Sequence, residues 1–267
     1  MQPVGGGAGM NPTDIEWVRN PNGTKGRSWN PVTGCLGPEG KGPCSYCYAR
    51  RMAARFGSHD TVIWSSQERG KGIYEARPGE VFPYGFAPTF YPHRLEEPLR
   101  IKQPSRIFVC SMGDLFQASV PREWIDHIFP TIARCAQHRF IIMTKCPQNI
   151  GDIEPCSNVW LLTSVEDQAT WDKRVPEILK LRERGWPVLG VSVEPMLGPI
   201  VPYGIEQLDW VIVGGQSPAS AAQPEPEWVW QLVQKCEDGG VPLFMKNNLE
   251  SSCIIRLTQQ WPEEVSA

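Results

Sequence analysis

Six short apolar runs in the second half of the chain restrict its fold more than any other feature. Continuous apolar runs of this length are typical of parallel strands that are covered on both faces of a sheet. The runs are Ile107–Met112, Phe140–Thr144, Val159–Thr163, Val188–Val193, Trp210–Val213 and Leu243–Met245.

Amphipathic segments lie between several of these runs. Pro121–Gln137 begins with a proline and carries its apolar residues at helical spacing, and Trp171–Arg184 and Glu227–Asp238 are similar. Alternating strands and helices favour an α/β fold with a parallel sheet and right-handed connections. We therefore predict a partial (βα)6-type barrel of parallel strands, preceded by an irregular N-terminal segment.

The organisation of the chain changes near residue 106. Residues 57–105 are rich in Gly, Pro, Tyr and Phe, which indicates ordered loops that face a substrate or cover a site. The whole length of 267 residues is expected to form one domain. Its parts are a cysteine loop at 28–56, a loop-rich insertion at 57–105, an α/β core at 106–250 and a C-terminal tail at 251–267.

The chain has no apolar stretch of about 18 residues, and its glycine-rich start lacks the basic and apolar regions of a secretory signal. We therefore expect a cytoplasmic protein that does not associate with membranes. Nine cysteines are an odd number, and a reducing cytoplasm disfavours disulfides. Metal binding or buried thiols are the better interpretations, and the oligomeric state is left open.

Small, polar or charged residues follow each apolar run. Because the carboxyl ends of parallel strands lie at one edge of a sheet, and ligands bind at that edge, these tails predict a binding site. Ordinary strand capping is the alternative. The tails contain Ser111, Met112, Gly113, Asp114, Thr144, Lys145, Ser164, Glu166, Ser192, Glu194, Gly214, Gly215 and Lys246.

Three cysteines, Cys35, Cys44 and Cys47, fall within thirteen residues. The glycines and prolines between them allow tight turns, so the sulfurs can converge on one soft metal centre. A structural zinc site requires four ligands, whereas three cysteines without a near fourth suggest an iron–sulfur cluster with one open iron. The zinc alternative would be completed by Cys110, Cys146 or His59.

Other reactive side chains are assigned by their positions in the predicted elements. Cys135 and Cys236 lie on helices and are expected to be core residues. Cys110 is a candidate hydrogen-atom donor because a thiol S–H bond is weak, with packing as the alternative. Lys145 and Glu194 are candidate substrate contacts, or partners of each other.

In its cysteine loop the chain resembles the radical S-adenosylmethionine (SAM) superfamily, in which three cysteines hold a 4Fe-4S cluster and an aromatic residue precedes the last cysteine. Tyr46 has that place. A closer resemblance, over residues 14–246, is to a family of phage and bacterial proteins. Spore photoproduct lyase, which repairs DNA, is a distant relative. The shared motifs are WNPVTGC at 29–35, CYA at 47–49, CSMGDLF at 110–116, SVED at 164–167, SVEPMLG at 192–198 and VGG at 213–215.

The resemblance implies a radical SAM enzyme that forms a 5′-deoxyadenosyl radical and needs an electron donor. The open iron would chelate the amino and carboxylate groups of SAM. Asp114 would accept from the ammonium group, and Ser164 and Glu166 would bind the ribose hydroxyls. The residues that the resemblance assigns to cofactor binding are Tyr46, Ser111, Met112, Gly113, Asp114, Ser164, Glu166, Ser192, Gly214 and Gly215.

The chain departs from the pattern in two places. Eight residues separate Cys35 from Cys44, where the superfamily usually has three. The late family motifs Gly-Gly-Glu-Ser, Ala-Arg-Pro and Lys-Gln-Trp-Gly are altered, since this chain has Gln216, Gln223 and Asn247-Asn248. The loss of charged groups suggests a changed substrate.

Charge is distributed unevenly along the chain. Residues 1–106 hold 14 Lys and Arg against 9 Asp and Glu, whereas residues 107–267 hold 12 against 20. Together with Arg50, Arg51 and Arg55 on one predicted helix and aromatic residues at 74–91, this favours a nucleic acid that is modified or repaired. The alternatives are a small-molecule or peptide substrate, an iron–sulfur redox carrier, or a nucleic-acid-binding accessory protein with a structural zinc.

Overall fold

The computed structural model describes residues 10–56, 74–217, 221, 223–250 and 256–262. Four α-helices and seven short 3-10 helices accompany ten strands in these residues. The strands are β1 (Asn11–Pro12), β2 (Arg27–Trp29), β3 (Val32–Thr33), β4 (Thr89–Phe90), β5 (Arg106–Val109), β6 (Arg139–Thr144), β7 (Val159–Val165), β8 (Val188–Val193), β9 (Trp210–Val213) and β10 (Leu243–Met245).

The α-helices are α1 (Tyr48–Phe56), α2 (Arg122–Arg134), α3 (Gln168–Leu179) and α4 (Pro226–Gly239). The 3-10 helices are Glu16–Val18, Pro92–Arg94, Pro98–Arg100, Pro147–Asn149, Lys180–Arg184, Ile205–Gln207 and Asn247–Leu249. No helix among the described residues has both the length and the apolar character needed to cross a membrane.

Eight strands form one sheet in the order β1-β2-β5-β6-β7-β8-β9-β10, and β3 pairs with β4 separately. Strand β1 is antiparallel to β2, and every other neighbouring pair in the large sheet is parallel. The predicted α/β fold with a parallel sheet is therefore confirmed. The carboxyl ends of the seven parallel strands meet at one edge.

The apolar runs mark the later strands closely. Strands β8, β9 and β10 have the predicted bounds, whereas β5 ends at Val109 instead of Met112. The reason is Cys110, whose φ of 55° is in the left-handed region, so the chain turns out of the sheet there. Strand β2 was not predicted, because only three residues form it and they lie in an irregular stretch of sequence.

The helices differ from their predicted bounds mainly at their ends. Helix α2 ends at Arg134, three residues before the predicted Gln137. Helix α3 begins before the predicted Trp171, because the Asp167 carboxylate caps it by accepting from Thr170 N at 2.9 Å. The predicted end of this segment, Lys180–Arg184, is a 3-10 helix.

Alternate side chains of each strand pack on opposite faces of the sheet. Ile107 and Val109 join the core beneath α2, whereas Phe108, between them, joins a cluster of aromatic residues on the other face. That second face carries Trp17, Phe108, Ile141, Trp160, Leu162, Val188, Trp210, Ile212 and Phe244. Trp17 and Phe108 of this face line the cavity described next.

Candidate functional site

A cavity of about 380 Å³ opens at the carboxyl edge of the parallel strands. Phe108 and Met143 form part of its floor, and the cysteine loop forms a wall. The structure brings eleven of the predicted site residues to this cavity. They are Cys35, Cys44, Tyr46, Cys47, Ser111, Gly113, Asp114, Lys145, Ser164, Glu194 and Gly215.

Five predicted residues do not line the cavity. Cys110 is buried in the core and does not line the cavity, and burial raises the pKa of its thiol to about 12. Ser192 is fully buried within β8, and Gly214 lies against the Lys246 side chain. Met112 lines an adjoining groove, and Glu166 lies beneath Tyr46.

The cysteine loop is joined to the sheet edge through Gly34. Gly34 N donates to Met112 O at 2.8 Å, and Gly34 pairs with Gly113 in a short parallel bridge. A Cβ atom at Gly34, where φ is 84°, would lie 2.1 Å from Ala87 O. The glycine before Cys35 is therefore required by this close approach and by its backbone conformation.

Two amide side chains hold the loop, and sequence reasoning missed both. Gln117 Nε2 donates to Gly34 O at 2.9 Å, and Gln117 Oε1 accepts from Leu36 N at 2.7 Å. Asn30 Oδ1 accepts from Met112 N at 3.0 Å. Asn30 lies inside the WNPVTGC motif and Gln117 immediately follows the CSMGDLF motif, so their positions in and beside these motifs were the available signal.

Backbone amides point at two of the three sulfurs. Cys35 Sγ accepts from Gly37 N at 3.2 Å. Cys47 immediately precedes α1, and its Sγ accepts from Arg50 N at 3.4 Å. Burial and the nearby Asp114 carboxylate raise the pKa of Cys35.

The three thiols line the cavity without forming a compact site for one metal ion. No group of three His, Cys, Asp or Glu side chains within the described ranges has the spacing to bind one metal ion. A 4Fe-4S cluster bonds each thiolate to a different iron, so its ligands lie further apart. Of the proposed zinc ligands, Cys110 and Cys146 are buried and do not line the cavity, and His59 lies outside the described residues.

Glu166 is engaged by three protein groups instead of being free for a ribose. Tyr46 Oη donates to Glu166 Oε1 at 2.7 Å, and Arg174 Nη1 bonds Glu166 Oε2 at 2.8 Å. The Lys145 ammonium forms an ion pair with the same carboxylate. Burial lowers the pKa of Lys145 to about 8.

Asp114 lines the cavity, but its carboxylate already accepts three hydrogen bonds. The donors are Phe116 N at 3.0 Å, Thr144 Oγ1 at 2.7 Å and Lys145 N at 2.8 Å. Burial raises the pKa of Asp114. The carboxylate therefore connects the tails of β5 and β6. This structural role was not predicted from the sequence, which suggested only a contact with an ammonium group.

Glu194 and Lys145 are not partners of each other, in contrast to the alternative considered above. Glu194 forms an ion pair with Lys246, and Lys145 pairs with Glu166. Glu16 lies close to the first pair, where burial raises the pKa of its carboxyl group. The two ion pairs join different strand tails, β8 to β10 in the first and β6 to β7 in the second.

The residues that depart from the family motifs meet around Gly215. Asn248 Nδ2 donates to Gly215 O at 2.8 Å, and Asn248 Oδ1 accepts from Gly215 N at 3.1 Å. Gln223 Nε2 donates to Gln216 O at 3.1 Å. The departures from the family motifs are thus one local change around Gly215.

Helix α1 is the exposed wall of the site. Arg50 and Arg55 are exposed, and Tyr48, Met52 and Phe56 are 42%, 44% and 44% exposed at a spacing of four residues. The aromatic segment at 74–91 is different. Its Phe82, Phe90 and Tyr91 are buried and are not available for stacking on bases, whereas Tyr84 and Phe86 are half-buried and Phe86 lines the cavity.

Comparisons with known proteins give one family match and several structural similarities. A family model described as Protein of unknown function (DUF5131) matches residues 12–256. No curated protein sequence matches the chain.

Structures of spore photoproduct lyase are similar at low identity. One complex with dinucleoside spore photoproduct has 13% identity and a TM-score of 0.44, covering 77% of this chain and 58% of that chain. A variant with bound AdoMet and dinucleoside spore photoproduct has 12% identity and a TM-score of 0.43, covering 90% and 58%. The chain thus spans somewhat more than half of the length of these structures.

Proposed function

The chain belongs to the family described as Protein of unknown function (DUF5131), and from its site we propose that it is a radical SAM enzyme. The observation that carries the proposal is the cavity shared by Cys35, Cys44 and Cys47 and by the polar tails of parallel strands. Soft thiolates suit iron–sulfur clusters, and the carboxyl edge of a parallel sheet is where ligands bind.

The cluster would be held by the three thiols, with the amides of Gly37 and Arg50 donating to two sulfurs. When bound and reduced, it would supply the electron that cleaves a carbon–sulfur bond of SAM to give the 5′-deoxyadenosyl radical. The protein's own task is placement and exclusion of water. Ser164 and Gly215 line the same cavity and would contact SAM, and an external electron donor is required.

The metal content tests the proposal directly. Protein that is reconstituted anaerobically should bind about four irons, and Cys35→Ala, Cys44→Ala or Cys47→Ala should lose them. Cys135→Ala and Cys236→Ala are matched controls, because both thiols are buried in the core. One tightly bound zinc with no iron would contradict the proposal and favour the accessory-protein alternative.

Cofactor turnover is a second, independent measurement. The reduced, reconstituted protein should convert SAM to 5′-deoxyadenosine, detected by chromatography, and the cysteine variants should not. An iron-loaded protein that neither binds nor cleaves SAM would favour the redox-carrier alternative.

For the substrate we propose a nucleic acid that contacts α1. Arg50 and Arg55 can neutralise phosphates, and the exposed rings of Tyr48 and Phe56 can stack on unpaired bases. Tyr48 also lines the cavity, so a strand bound on α1 would lie at its mouth. Modification or repair of such a strand is the proposed reaction class.

Oligonucleotide binding at two salt concentrations tests this substrate class. Arg50→Gln/Arg55→Gln should weaken binding to single strands and lower the salt dependence by about 0.7 per lost phosphate contact. Arg100→Gln/Arg134→Gln, at two exposed arginines elsewhere, is the charge-matched control. Absence of salt-dependent binding would favour a small-molecule or peptide substrate. The burial of the Phe82, Phe90 and Tyr91 rings is consistent with that alternative.

A further inference from the structure

Tyr46 lies between two of the three cysteines, and its side chain crosses from the cysteine loop to the sheet. Its hydroxyl donates to Glu166 Oε1 at 2.7 Å, just beyond the end of β7. Lys145 Nζ, just beyond the end of β6, donates to the same hydroxyl at 2.9 Å. The ammonium group also lies 5.0 Å from the centre of the Tyr46 ring.

The carboxylate that receives Tyr46 is itself firmly held. Glu166 is 4% exposed and Arg174 is 6% exposed. Arg174 Nη1 bonds Glu166 Oε2 at 2.8 Å and also donates to Ser164 O at 2.7 Å. Charge-assisted hydrogen bonds that are shielded from water are strong and have a defined geometry, so Glu166 is a fixed point on the sheet.

The loop that carries Tyr46 is otherwise rich in residues that permit several conformations. Gly37, Gly40 and Gly42 have positive φ angles, and Pro43 precedes Cys44. Cys47 N donates to Cys44 O at 3.1 Å, which forms a turn within the loop but does not attach that turn to the sheet. Arg51 holds the backbone of the turn, since it donates to Tyr46 O at 3.2 Å and to Ser217 O at 2.6 Å. The Tyr46 hydroxyl adds the contact to the tails of β6 and β7, and this contact constrains both thiols together.

We propose that Tyr46 is a positioning residue whose hydroxyl, held by Glu166 and Lys145, fixes the Cys44–Cys47 turn against the sheet. The turn then presents both thiols to the cavity before any metal is bound. Its importance for cluster loading rests on the proposed function, whereas the anchoring of the turn is a property of the apoprotein.

The apoprotein gives the first test. In Tyr46→Phe the ring remains and the hydroxyl is lost, so we expect Cys44 and Cys47 to react with iodoacetamide about tenfold faster, as expected when a hydrogen bond to a charged group restrains the turn. Tyr203→Phe is the matched control, because Tyr203 is 59% exposed and remote from the cysteines in sequence. Mass spectrometry assigns the rate to each cysteine.

A double-mutant cycle shows whether the effect passes through Glu166. If Tyr46 acts through this carboxylate, adding Tyr46→Phe to Glu166→Leu, which has no acceptor for the hydroxyl, should change the alkylation rate far less than Tyr46→Phe does alone. Equal effects in both backgrounds would overturn the proposal. So would a Tyr46→Phe rate that matches the wild-type rate.

The loaded protein gives the second test. Tyr46→Phe should lose iron to a chelator faster than wild type and should alter the electron paramagnetic resonance spectrum of the reduced cluster, whereas Tyr203→Phe should do neither. If wild type bound no iron, the proposed function would fail while the alkylation rates still tested the anchor. Iron loss and spectra unchanged in Tyr46→Phe would overturn the role in cluster loading.

Discussion

The thiol of Cys110 is 3% exposed and lies where β5 leaves the sheet. Burial, with a further contribution from the Asp114 carboxylate, raises the pKa of Cys110 to about 12. Because the thiolate is the reactive form, a buried thiol with this pKa reacts slowly at neutral pH. A residue that is adjacent in sequence to a cavity residue can thus be buried in the core and react slowly.

We therefore predict a clear division among the thiols of the native apoprotein. Cys44 and Cys47, which are partly exposed, should be alkylated near pH 8, whereas Cys110, Cys146 and Cys236 should be protected until the protein is unfolded in urea. Mass spectrometry of each cysteine checks this. Modification of native Cys110 at the rate of Cys47 would show that the core assignment is wrong.

His138 is a buried titratable residue outside the site. Ser105 N donates to Nδ1 at 3.2 Å, so Nε2 carries the proton and faces Pro98 O at 3.2 Å. Burial lowers the pKa of His138 below its ordinary value of 6.5. Protonation would also remove the acceptor of Ser105 N.

The pH dependence of stability follows from this lowered pKa. Below about pH 6.5 the unfolded chain binds a proton at His138 that the native protein does not. The free energy of unfolding should therefore decrease as the pH is lowered, by up to about 1.4 kcal/mol per pH unit. His138→Gln should lose that component, and His127→Gln, on the exposed surface of α2, should retain it. Urea titrations between about pH 5.5 and pH 7.5 measure the difference. Parallel curves for wild type and His138→Gln would contradict the prediction.

Helix α3 begins immediately after a strand tail that belongs to the site. The Asp167 carboxylate accepts from Thr170 N, while Thr170 Oγ1 accepts from the backbone amides of Glu166 and Asp167 at 2.9 and 3.0 Å. This reciprocal cap ends β7 and starts the helix within three residues. The helix start thereby orients the backbone of Glu166, which receives Tyr46.

Removal of this cap should be measurable as stability. Asp167→Ala should lower the free energy of unfolding by about 1 kcal/mol, because the first-turn amides lose their acceptor. Asp238→Ala near the end of α4 is the control, since its side chain is 73% exposed and a change within about 0.5 kcal/mol is expected. Chemical unfolding measures the free energy of unfolding of both variants. Equal decreases in the two variants would contradict the role of Asp167 as a helix cap.

The described residues before β5 and the α/β core share one hydrophobic interior. Met10, Trp29, Val32 and Phe90 pack in the same cluster as residues of β5–β8 and α2. Trp29 is fully buried in β2, and its Nε1 donates to Arg94 O at 2.8 Å. The early segment has no separate core among the described residues, and the single domain stays a prediction.

We predict one cooperative unfolding transition for the whole molecule. Tryptophan fluorescence and far-ultraviolet circular dichroism should report the same midpoint, and Trp29→Ala should lower the free energy of unfolding by about 3–5 kcal/mol. Trp230→Ala, at a residue that is 41% exposed, should change it by about 0.5 kcal/mol or less. Two separate transitions would contradict the single-domain prediction.

The sequence by itself determined the α/β class and most of the later strands. Continuous apolar runs report burial on both faces, and β8, β9 and β10 could be placed to the residue because burial is a local requirement of each strand. The cysteine cluster and the strand tails likewise indicated which residues would share one sheet edge. The short strand β2 could not be predicted, because a segment of three residues shows no periodicity.

Only the tertiary structure decided which polar side chains at that edge are free and which are partners of one another. Glu166 is bonded to Tyr46 across 120 residues of sequence, and Lys145 to Glu166 rather than to Glu194. Such pairings depend on the order and register of neighbouring strands and on the path of the cysteine loop. A buried charge must find a partner, but its residue type does not specify which one, because several carboxylates and amines meet at the same edge.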